Sequence, residues 1–287
     1  MEQYNYEKIS NDIIFRILEK RNPFSNKGDF GNAILFVGSY GKMGAATLTS
    51  TACLRTGVGL LTVYIPKCGY TILQTSIPEA MVVCDKEETM ITAATPLHHF
   101  NVVGIGCGIG TSRATANALK QIIRSFNKPM VLDADAINIL SKNKEWLKWI
   151  PEESIFTPHA KEFERLVGAS ANENERKKMQ IDFSEKHNVY VILKGHETII
   201  SCPNGNTYVN STGNAGMAKG GSGDALTGML TAFLAQGYTS EETCIAGVYI
   251  HGLAGDIAVK ETGEFSLLAS DLIKAIGKAF LAITQRK

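Results

Sequence analysis

The stretch "NAGMAKGGSGDALTGML" (214–230) places Asp224 directly after a glycine run and directly before residues with helical apolar spacing. A glycine-rich turn lets the backbone approach a ligand and present consecutive N–H groups, and the following helix adds the positive end of its dipole. We therefore predict an anion hole at Gly221, Ser222 and Gly223. Beside it, the Asp224 carboxylate can act as the catalytic base that takes the proton of a substrate hydroxyl, while the N–H groups stabilise phosphate charge.

A purely structural role for Asp224, as an acid that stabilises the first turn of a helix, is the alternative. The density of glycine counts against it, because each glycine costs about 0.5–1 kcal/mol in regular structure and a helix start needs one at most. The function favoured by this segment is phosphoryl transfer.

Polar side chains also lie at or just beyond the carboxyl ends of three strands predicted from apolar runs. The segments are "LDADAIN" (132–138) with Asp133 and Asp135, "FTPHAKEFERLVG" (156–168) with His159 and Glu162, and "LKGHETII" (193–200) with Lys194. Open α/β sheets bind ligands at the carboxyl ends of their strands, so we expect these side chains to meet at one edge. The sequence therefore predicts one composite site rather than separate ones.

Each of these segments also allows a structural interpretation. One aspartate could cap a helix, or the pair could contact substrate or, through water, Mg²⁺. The Thr-Pro pair before His159 suits a helix start, so a structural role is the simpler interpretation of His159 taken alone. Lys194 could be an ordinary loop lysine.

A second glycine-rich stretch, "VVGIGCGIGT" (102–111), follows a predicted strand. Its glycines alternate singly and do not form the GxGxxG fingerprint of dinucleotide-binding folds. The stretch "GSYGKMG" (38–44) likewise lacks the spacing of a Walker motif. If this chain binds a nucleotide, it uses neither of these two common nucleotide-binding motifs. A tight turn between a strand and a helix explains residues 102–111 equally well.

Apolar, β-rich runs alternate with helix-length segments along the chain. The predicted strands are 33–37, 60–65, 101–106, 129–135, 154–157 and 189–195, then two short strands around a turn in 197–210; helices over 226–234 and 241–259 and a closing helix capped by Ser270 follow. Such apolar strands joined by helices are typical of a mostly parallel sheet covered on both faces. We predict a doubly wound α/β fold, with residues 1–25 as an N-terminal arm and 26–287 as a single domain.

Composition excludes several classes of partner. The 287 residues carry a net charge of +1, so we expect binding neither to nucleic acid nor to a membrane surface. The six cysteines are widely spaced without zinc-site spacing, which indicates reduced thiols in the cytoplasm. The N-terminal segment lacks the apolar core of a signal peptide, and no run reaches the roughly 18–20 apolar residues of a membrane helix.

Taken together, the segments resemble the NAD(P)H-hydrate dehydratases of the ribokinase-like superfamily. The resemblance rests, in chain order, on "NKGDFGNAILFVGS" (26–39), "GIGCGIG" (104–110), "LDADAIN" (132–138), "TPHAKE" (157–162), "LKG" (193–195) and "NAGMAKGGSGDALTG" (214–228). It implies a ribokinase-like fold and an ADP- or ATP-dependent lyase assisted by Mg²⁺. The enzymes of this family restore NADH or NADPH that has been hydrated at C6 of the nicotinamide ring, in its (6S) form.

The implied chemistry has a simple physical basis. A hydroxyl is a poor leaving group and phosphate a good one, so phosphorylation of the C6 hydroxyl followed by elimination of phosphate would remove water from the ring. Asp224 fits as the base that deprotonates this hydroxyl.

The resemblance also implies roles for single residues. The positions that match contacts to the hydrated nicotinamide are Ala45, Gly108 and His159, with Asp224 reaching the same ligand; those that match adenine-nucleotide contacts are Lys194, Gly195, His196, Glu197, Thr198 and Gly223. Glu162 stands where related kinases keep a glutamate that organises Mg²⁺, although those kinases have asparagine in place of His159. Where the family commonly reads "GPG", this chain has Cys107 in the middle.

The resemblance implies a homo-oligomer, a tetramer, as the assembly. Many bacterial relatives carry a fused epimerase domain, and since about 25 residues precede the first motif here, we expect any epimerase to be a separate protein.

The residue patterns are also compatible with two other functions. A small-molecule kinase of the same superfamily, acting on a vitamin-like alcohol, would use the same glycine-rich turn. A nucleotide-sensing module would bind without turnover, but binding alone does not need a base beside an anion hole.

Overall fold

The computed structural model describes residues 6–285. The strands are β1 (Glu7–Lys8), β2 (Asn32–Phe36), β3 (Leu60–Ile65), β4 (Met81–Cys84), β5 (Val102–Ile105), β6 (Met130–Leu132), β7 (Ile155–Phe156), β8 (Tyr190–Leu193), β9 (Thr198–Ser201) and β10 (Thr207–Asn210). The α-helices are α1 (Asn11–Ile17), α2 (Met43–Arg55), α3 (Tyr70–Ser76), α4 (Arg113–Ser125), α5 (Ala134–Lys142), α6 (Ala160–Val167), α7 (Glu173–His187), α8 (Ser222–Ala235), α9 (Ser240–Thr262) and α10 (Ala269–Thr284). Short 3₁₀ turns lie at Lys27–Phe30, Lys67–Gly69, Lys144–Trp149 and Ala215–Met217.

All ten strands form one sheet in the order β1-β10-β9-β8-β7-β6-β5-β2-β3-β4. Strands β2 to β8 run parallel, and β9 is antiparallel to both of its neighbours. The chain runs from β2 outward to β3 and β4 and returns to β5 on the other side of β2. The connections after β2 and β5 therefore diverge, which opens a crevice at the carboxyl edge of the sheet.

Helices cover both faces of the sheet because successive strand residues point to opposite sides. Ile34 and Phe36 of β2 belong to a core that includes residues of α4 to α7. Ala33 and Leu35 point the other way, into a core that includes α2 and α3, next to one built by α1, α8, α9 and α10. The prediction of a doubly wound, mostly parallel sheet with helices on both faces is confirmed.

The first described residues join the same sheet. β1 pairs in parallel with β10, and Ile14 of α1 is fully buried. Within residues 6–285, no helix combines the length and the apolar character needed to cross a membrane.

One predicted helix start is wrong. Ser270 lies inside α10, and Leu268 holds the cap position. The Leu268 N–H donates to the Asp271 carboxylate at 3.2 Å, so a side chain from within the first turn supplies the capping contact that Ser270 was expected to make.

Candidate functional site

The first turn of α8 contains the predicted anion hole. Gly221 precedes the helix with φ 100°, a left-handed conformation, and a Cβ atom there would lie only 2.7 Å from Leu48 and 2.9 Å from Ala269. Ser222 is held in place because its hydroxyl donates to the Met217 carbonyl at 2.8 Å. The first N–H groups of a helix have no intrahelical partner, so this turn can present them to an anion.

Asp224 lies in this same turn. Burial is the main reason that its pKa is raised, and the nearby Asp133 carboxylate raises it further, whereas a hydrogen bond from Cys107 and the charge of Lys194 lower it. A carboxylate with a raised pKa is a stronger base toward a hydroxyl proton. The geometry therefore places a buried carboxylate and the predicted anion hole within one stretch of backbone.

Asp133 connects α8 to two other elements. Its buried carboxylate accepts hydrogen bonds from the Ala134 N–H, the Lys194 ammonium and the Thr227 hydroxyl, each at 2.8 Å. Asp133 is also the N-cap of α5, so it is the member of the aspartate pair that caps a helix. One side chain thus ties the ends of β6 and β8 to α8.

Lys194 follows β8 and lies against the first turn of α8. A Cβ atom on Gly223 would lie 3.3 Å from its Nζ, so only glycine leaves the ammonium this much room. Burial lowers the pKa of Lys194, but the Asp133 carboxylate outweighs this and the pKa is raised, which keeps the side chain charged. The structure therefore brings a cation to the predicted anion hole.

Gly108 and Ala45 meet at the crevice between β2 and β5. A Cβ atom on Gly108, whose φ is +68°, would lie 3.0 Å from the Ala45 Cβ, and the Ser39 hydroxyl donates to the Gly108 carbonyl at 2.7 Å. Asp135 braces the same loop because its carboxylate accepts the Gly110 N–H at 2.8 Å. Gly108 thus packs directly against Ala45 in the first turn of α2.

His159 and Glu162 form the N-terminal cap of α6. The His159 N–H donates to the Glu162 carboxylate at 2.9 Å, and the His159 ring accepts the Glu162 N–H at 3.3 Å. The structure therefore gives His159 the helix-start role that its neighbouring Thr-Pro suggested. Its side chain is still 48% exposed, which leaves the ring accessible, whereas that of Glu162 is 8% exposed.

The expected adenine-nucleotide segment forms the turn between β8 and β9. Gly195, His196 and Glu197 are exposed, and Thr198 begins β9. This turn and the α6 cap are neighbours, since the Lys194 N–H donates to the Pro158 carbonyl at 2.9 Å.

Helix α9, which the sequence predicts over 241–259, contacts the glycine-rich segment through two side chains, His251 and Asp256, whose role the sequence did not predict. His251 Nε2 lies 2.9 Å from the Ser222 carbonyl, and Asp256 accepts hydrogen bonds from the Gly213 N–H (2.9 Å) and the Asn214 amide (3.0 Å). Burial lowers the pKa of His251 to about 4, so its neutral ring donates to Ser222. The available signal was the pair of polar residues in "HGLAGD" (251–256), inside the otherwise apolar middle of the helix, 244–259.

Within the part of the chain that the structure describes, no group of three or more His, Cys, Asp or Glu side chains could hold a metal ion. Magnesium often keeps several waters and takes only one or two carboxylates together with phosphate oxygens. The oxygen donors at this edge fit such an ion; Glu162 would contact it through water, because its carboxylate already accepts the His159 N–H.

The order of the strands and the acid in the glycine-rich turn define a ribokinase-like protein. More narrowly, the sequence model of the NAD(P)H-hydrate dehydratase family matches residues 33–278, and the chain belongs to that family.

Solved and curated relatives agree with this assignment. The chain is 35% identical over 268 residues to the ADP-dependent (S)-NAD(P)H-hydrate dehydratase of Neisseria meningitidis, covering 90% of this chain and 88% of that protein. The structure resembles that of the ADP/ATP-dependent NAD(P)H-hydrate dehydratase of Bacillus subtilis co-crystallised with ATP and Mg²⁺, with a TM-score of 0.87, 27% identity and coverage of 98% and 100%.

Other relatives are longer. The chain is 33% identical over 278 residues to the bifunctional NAD(P)H-hydrate repair enzyme of Thermofilum pendens, covering 93% of this chain but 53% of that protein. It spans about half the length of the bifunctional relatives that it matches.

Proposed function

We propose that this chain is an ADP- or ATP-dependent (S)-NAD(P)H-hydrate dehydratase that returns (6S)-hydrated NADH or NADPH to the intact dinucleotide. The observation that carries the proposal is the position of Asp224. Its carboxylate shares the first turn of α8 with the free N–H groups, beside the Lys194 ammonium. A base, an anion hole and a cation at one point are what transfer of a phosphoryl group to a hydroxyl requires.

In the proposed reaction, Asp224 takes the proton from the C6 hydroxyl as the hydroxyl oxygen forms a bond to the terminal phosphorus of the nucleotide. The phosphorus–oxygen bond to the rest of the nucleotide breaks, and the α8 turn with Lys194 stabilises the negative charge on the phosphoryl group. The ring nitrogen then supplies the electron pair that expels phosphate from C6, and loss of a proton from C5 restores the ring double bond. The products are NAD(P)H, phosphate, and AMP from ADP or ADP from ATP.

The remaining residues would orient the two ligands. Ala45 and Gly108 meet at the crevice where the hydrated nicotinamide would lie, and a methyl group and a glycine would leave room for a flat ring. His159 would contact the same ligand. The exposed turn from Gly195 to Thr198 would contact the adenine nucleotide. Mg²⁺, held by phosphate oxygens and through water by Glu162, would offset the charge of the nucleotide.

The proposal also covers the functional partner, the oligomeric state and the localisation of the enzyme. The longer relatives are bifunctional NAD(P)H-hydrate repair enzymes, which supports an epimerase activity as the functional partner of the activity proposed for this chain. A cytoplasmic homo-oligomer, of tetramer size, completes the proposal, and light scattering on the purified chain measures the oligomer directly.

The decisive experiment is a recovery assay. The purified chain is incubated with hydrated NADH, Mg²⁺ and either ADP or ATP, and the return of the nicotinamide absorbance is followed. Reactions without nucleotide and with a metal chelator serve as controls, and we expect recovery in neither. No recovery with either nucleotide would overturn the proposal, and a stable phosphorylated product would favour a kinase instead.

A further inference from the structure

The connection between β2 and α2, "GSYGK" (38–42), borders the crevice but takes no part in the proposed reaction. It lacks the spacing of a Walker motif, so a phosphate cradle of that kind does not explain it. The Ser39 hydroxyl ties the loop to the turn after β5 by donating to the Gly108 carbonyl at 2.7 Å. The Ser39 carbonyl accepts the Lys42 N–H at 2.8 Å, so the backbone position of Lys42 is fixed relative to that turn.

The side chain of Lys42 runs along the turn after β5. A Cβ atom on Gly108 would lie 3.3 Å from the Lys42 Cβ, so the base of the side chain packs against Gly108. At the other end, the Lys42 Nζ atom lies 3.6 Å from Oδ2 of Asp135, the carboxylate that accepts the Gly110 N–H at 2.8 Å. The side chain therefore reaches from the loop after β2 to the loop after β6, across the crevice.

The Lys42 ammonium can still bind an anion. Its distance to Asp135 exceeds the roughly 2.7–3.2 Å of a hydrogen bond from nitrogen to oxygen, and the ammonium has three N–H donors. The side chain is 56% exposed, and an ion pair with so exposed a lysine contributes little to stability. In contrast, the Lys194 ammonium lies 2.8 Å from the buried Asp133 carboxylate. The fold therefore needs Lys42 less than an anionic ligand in the crevice would.

The position of Lys42 distinguishes between the phosphates of the two expected ligands. The turn expected to contact the adenine nucleotide, 195–198, follows β8, and β8 lies four positions from β2 in the sheet. At the usual spacing of about 4.8 Å between strands, the two loops begin about 19 Å apart. Lys42 instead adjoins Ala45 and Gly108, where the hydrated nicotinamide is expected. In a dinucleotide, only one ribose separates this ring from the diphosphate.

We propose that Lys42 binds the diphosphate of the hydrated dinucleotide and thereby holds the nicotinamide ring against Ala45 and Gly108. This inference rests on the proposed function and adds a substrate contact to it. Lys42 takes no part in phosphoryl transfer, so its contribution is the same before and during the reaction.

The first test is steady-state kinetics of Lys42→Met, which keeps the aliphatic stem and removes the charge. Loss of a charged hydrogen bond to the diphosphate should raise the KM for hydrated NADH by about 10-fold. We expect kcat and the KM for ADP to stay unchanged, because this contact is made equally in the ground state and the transition state. Lys42→Arg keeps a cation and should restore most of the affinity.

Lys67→Met is the matched control, because Lys67 is exposed and follows β3 at the same edge of the sheet. We expect wild-type kinetics from it, and thermal melting of each variant reports whether the fold is intact. An equal rise in KM in both methionine variants would indicate a general effect of charge and overturn the inference. A rise in the KM for ADP instead, or unchanged values in Lys42→Met, would overturn it as well.

A second measurement does not depend on turnover. NADH contains the same diphosphate, and its fluorescence reports binding to the protein. We expect the Kd for NADH to be about 10-fold higher in Lys42→Met than in the wild type and Lys67→Met. Dihydronicotinamide riboside, which has no phosphate, should bind equally to all three. An equal Kd for NADH would overturn the role of Lys42, whereas a wild type that shows this difference but no recovery activity would overturn only the proposed function.

Discussion

The Lys194 ammonium lies 2.8 Å from the carboxylate of Asp133, a residue 61 positions earlier in the chain. Asp133 is 2% exposed, and the pair joins the ends of two sheet strands beneath the first turn of α8. Since removal of one partner leaves the other charge uncompensated, we expect Asp133→Ala to lower the free energy of unfolding by about 3–5 kcal/mol. Urea denaturation measures this change.

The matched control for that variant is Glu261→Ala. Glu261 pairs with Lys278, but their side chains are 66% and 57% exposed. An exposed pair contributes less than about 1 kcal/mol, so this variant should unfold almost as the wild type does. Equal losses in both variants would show that the buried pair has no special role.

Asp224→Asn tests the base. The amide keeps the size of the side chain but cannot accept the hydroxyl proton, so we expect kcat to fall by about 10²–10⁴-fold. Nucleotide affinity should change little, because the N–H groups of the turn and Lys194 remain. Steady-state kinetics and calorimetric nucleotide titration separate the two effects, and unchanged turnover would remove the proposed role of Asp224.

The sequence predicted most of the sheet because its central strands are apolar and buried. The predicted strand 60–65 coincides with β3, whose residues from Leu61 to Ile65 are all buried. In contrast, β4 was missed, since this edge strand alternates exposed and half-buried residues and its Met81 is 47% exposed. A prediction based on apolar runs cannot find a strand that lacks one.

The site was predictable only where its signals are local. The glycine run and Asp224 lie within a few positions, but the Thr227 hydroxyl that bonds Asp133 lies 94 positions away from it. The helix over 241–259 was predicted, but its contacts with the glycine-rich segment through His251 and Asp256 were not, because no local pattern states which helix packs behind a turn. Distant pairs of this kind depend on the register of the whole sheet.

Gly223→Ala should weaken nucleotide binding without harming the fold. The added Cβ would lie 3.3 Å from Lys194 Nζ, so the ammonium must move away from the anion hole. We expect KM for the nucleotide to rise by about 10-fold, equivalent to about 1.4 kcal/mol. Gly277→Ala is the control, because nothing lies within 4 Å of a Cβ there and alanine in a helix stabilises by about 0.5–1 kcal/mol. An unchanged KM in Gly223→Ala would separate Lys194 from nucleotide binding.

His251 should make the fold sensitive to acid. Burial lowers its pKa from the ordinary value of 6.5 to about 4, so between these values the folded state binds fewer protons than the unfolded state. The stability contributed by the neutral ring is fully present above 6.5 and is lost as the pH falls toward 4, by about 3 kcal/mol in total. His251→Gln keeps an N–H donor for Ser222 but cannot be protonated in this range, so its unfolding free energy should fall less on acidification. Urea denaturation across this pH range measures the difference. His98→Gln, at an exposed histidine, is the control. If the free energy of unfolding fell equally with pH in the wild type and in His251→Gln, the prediction would be contradicted.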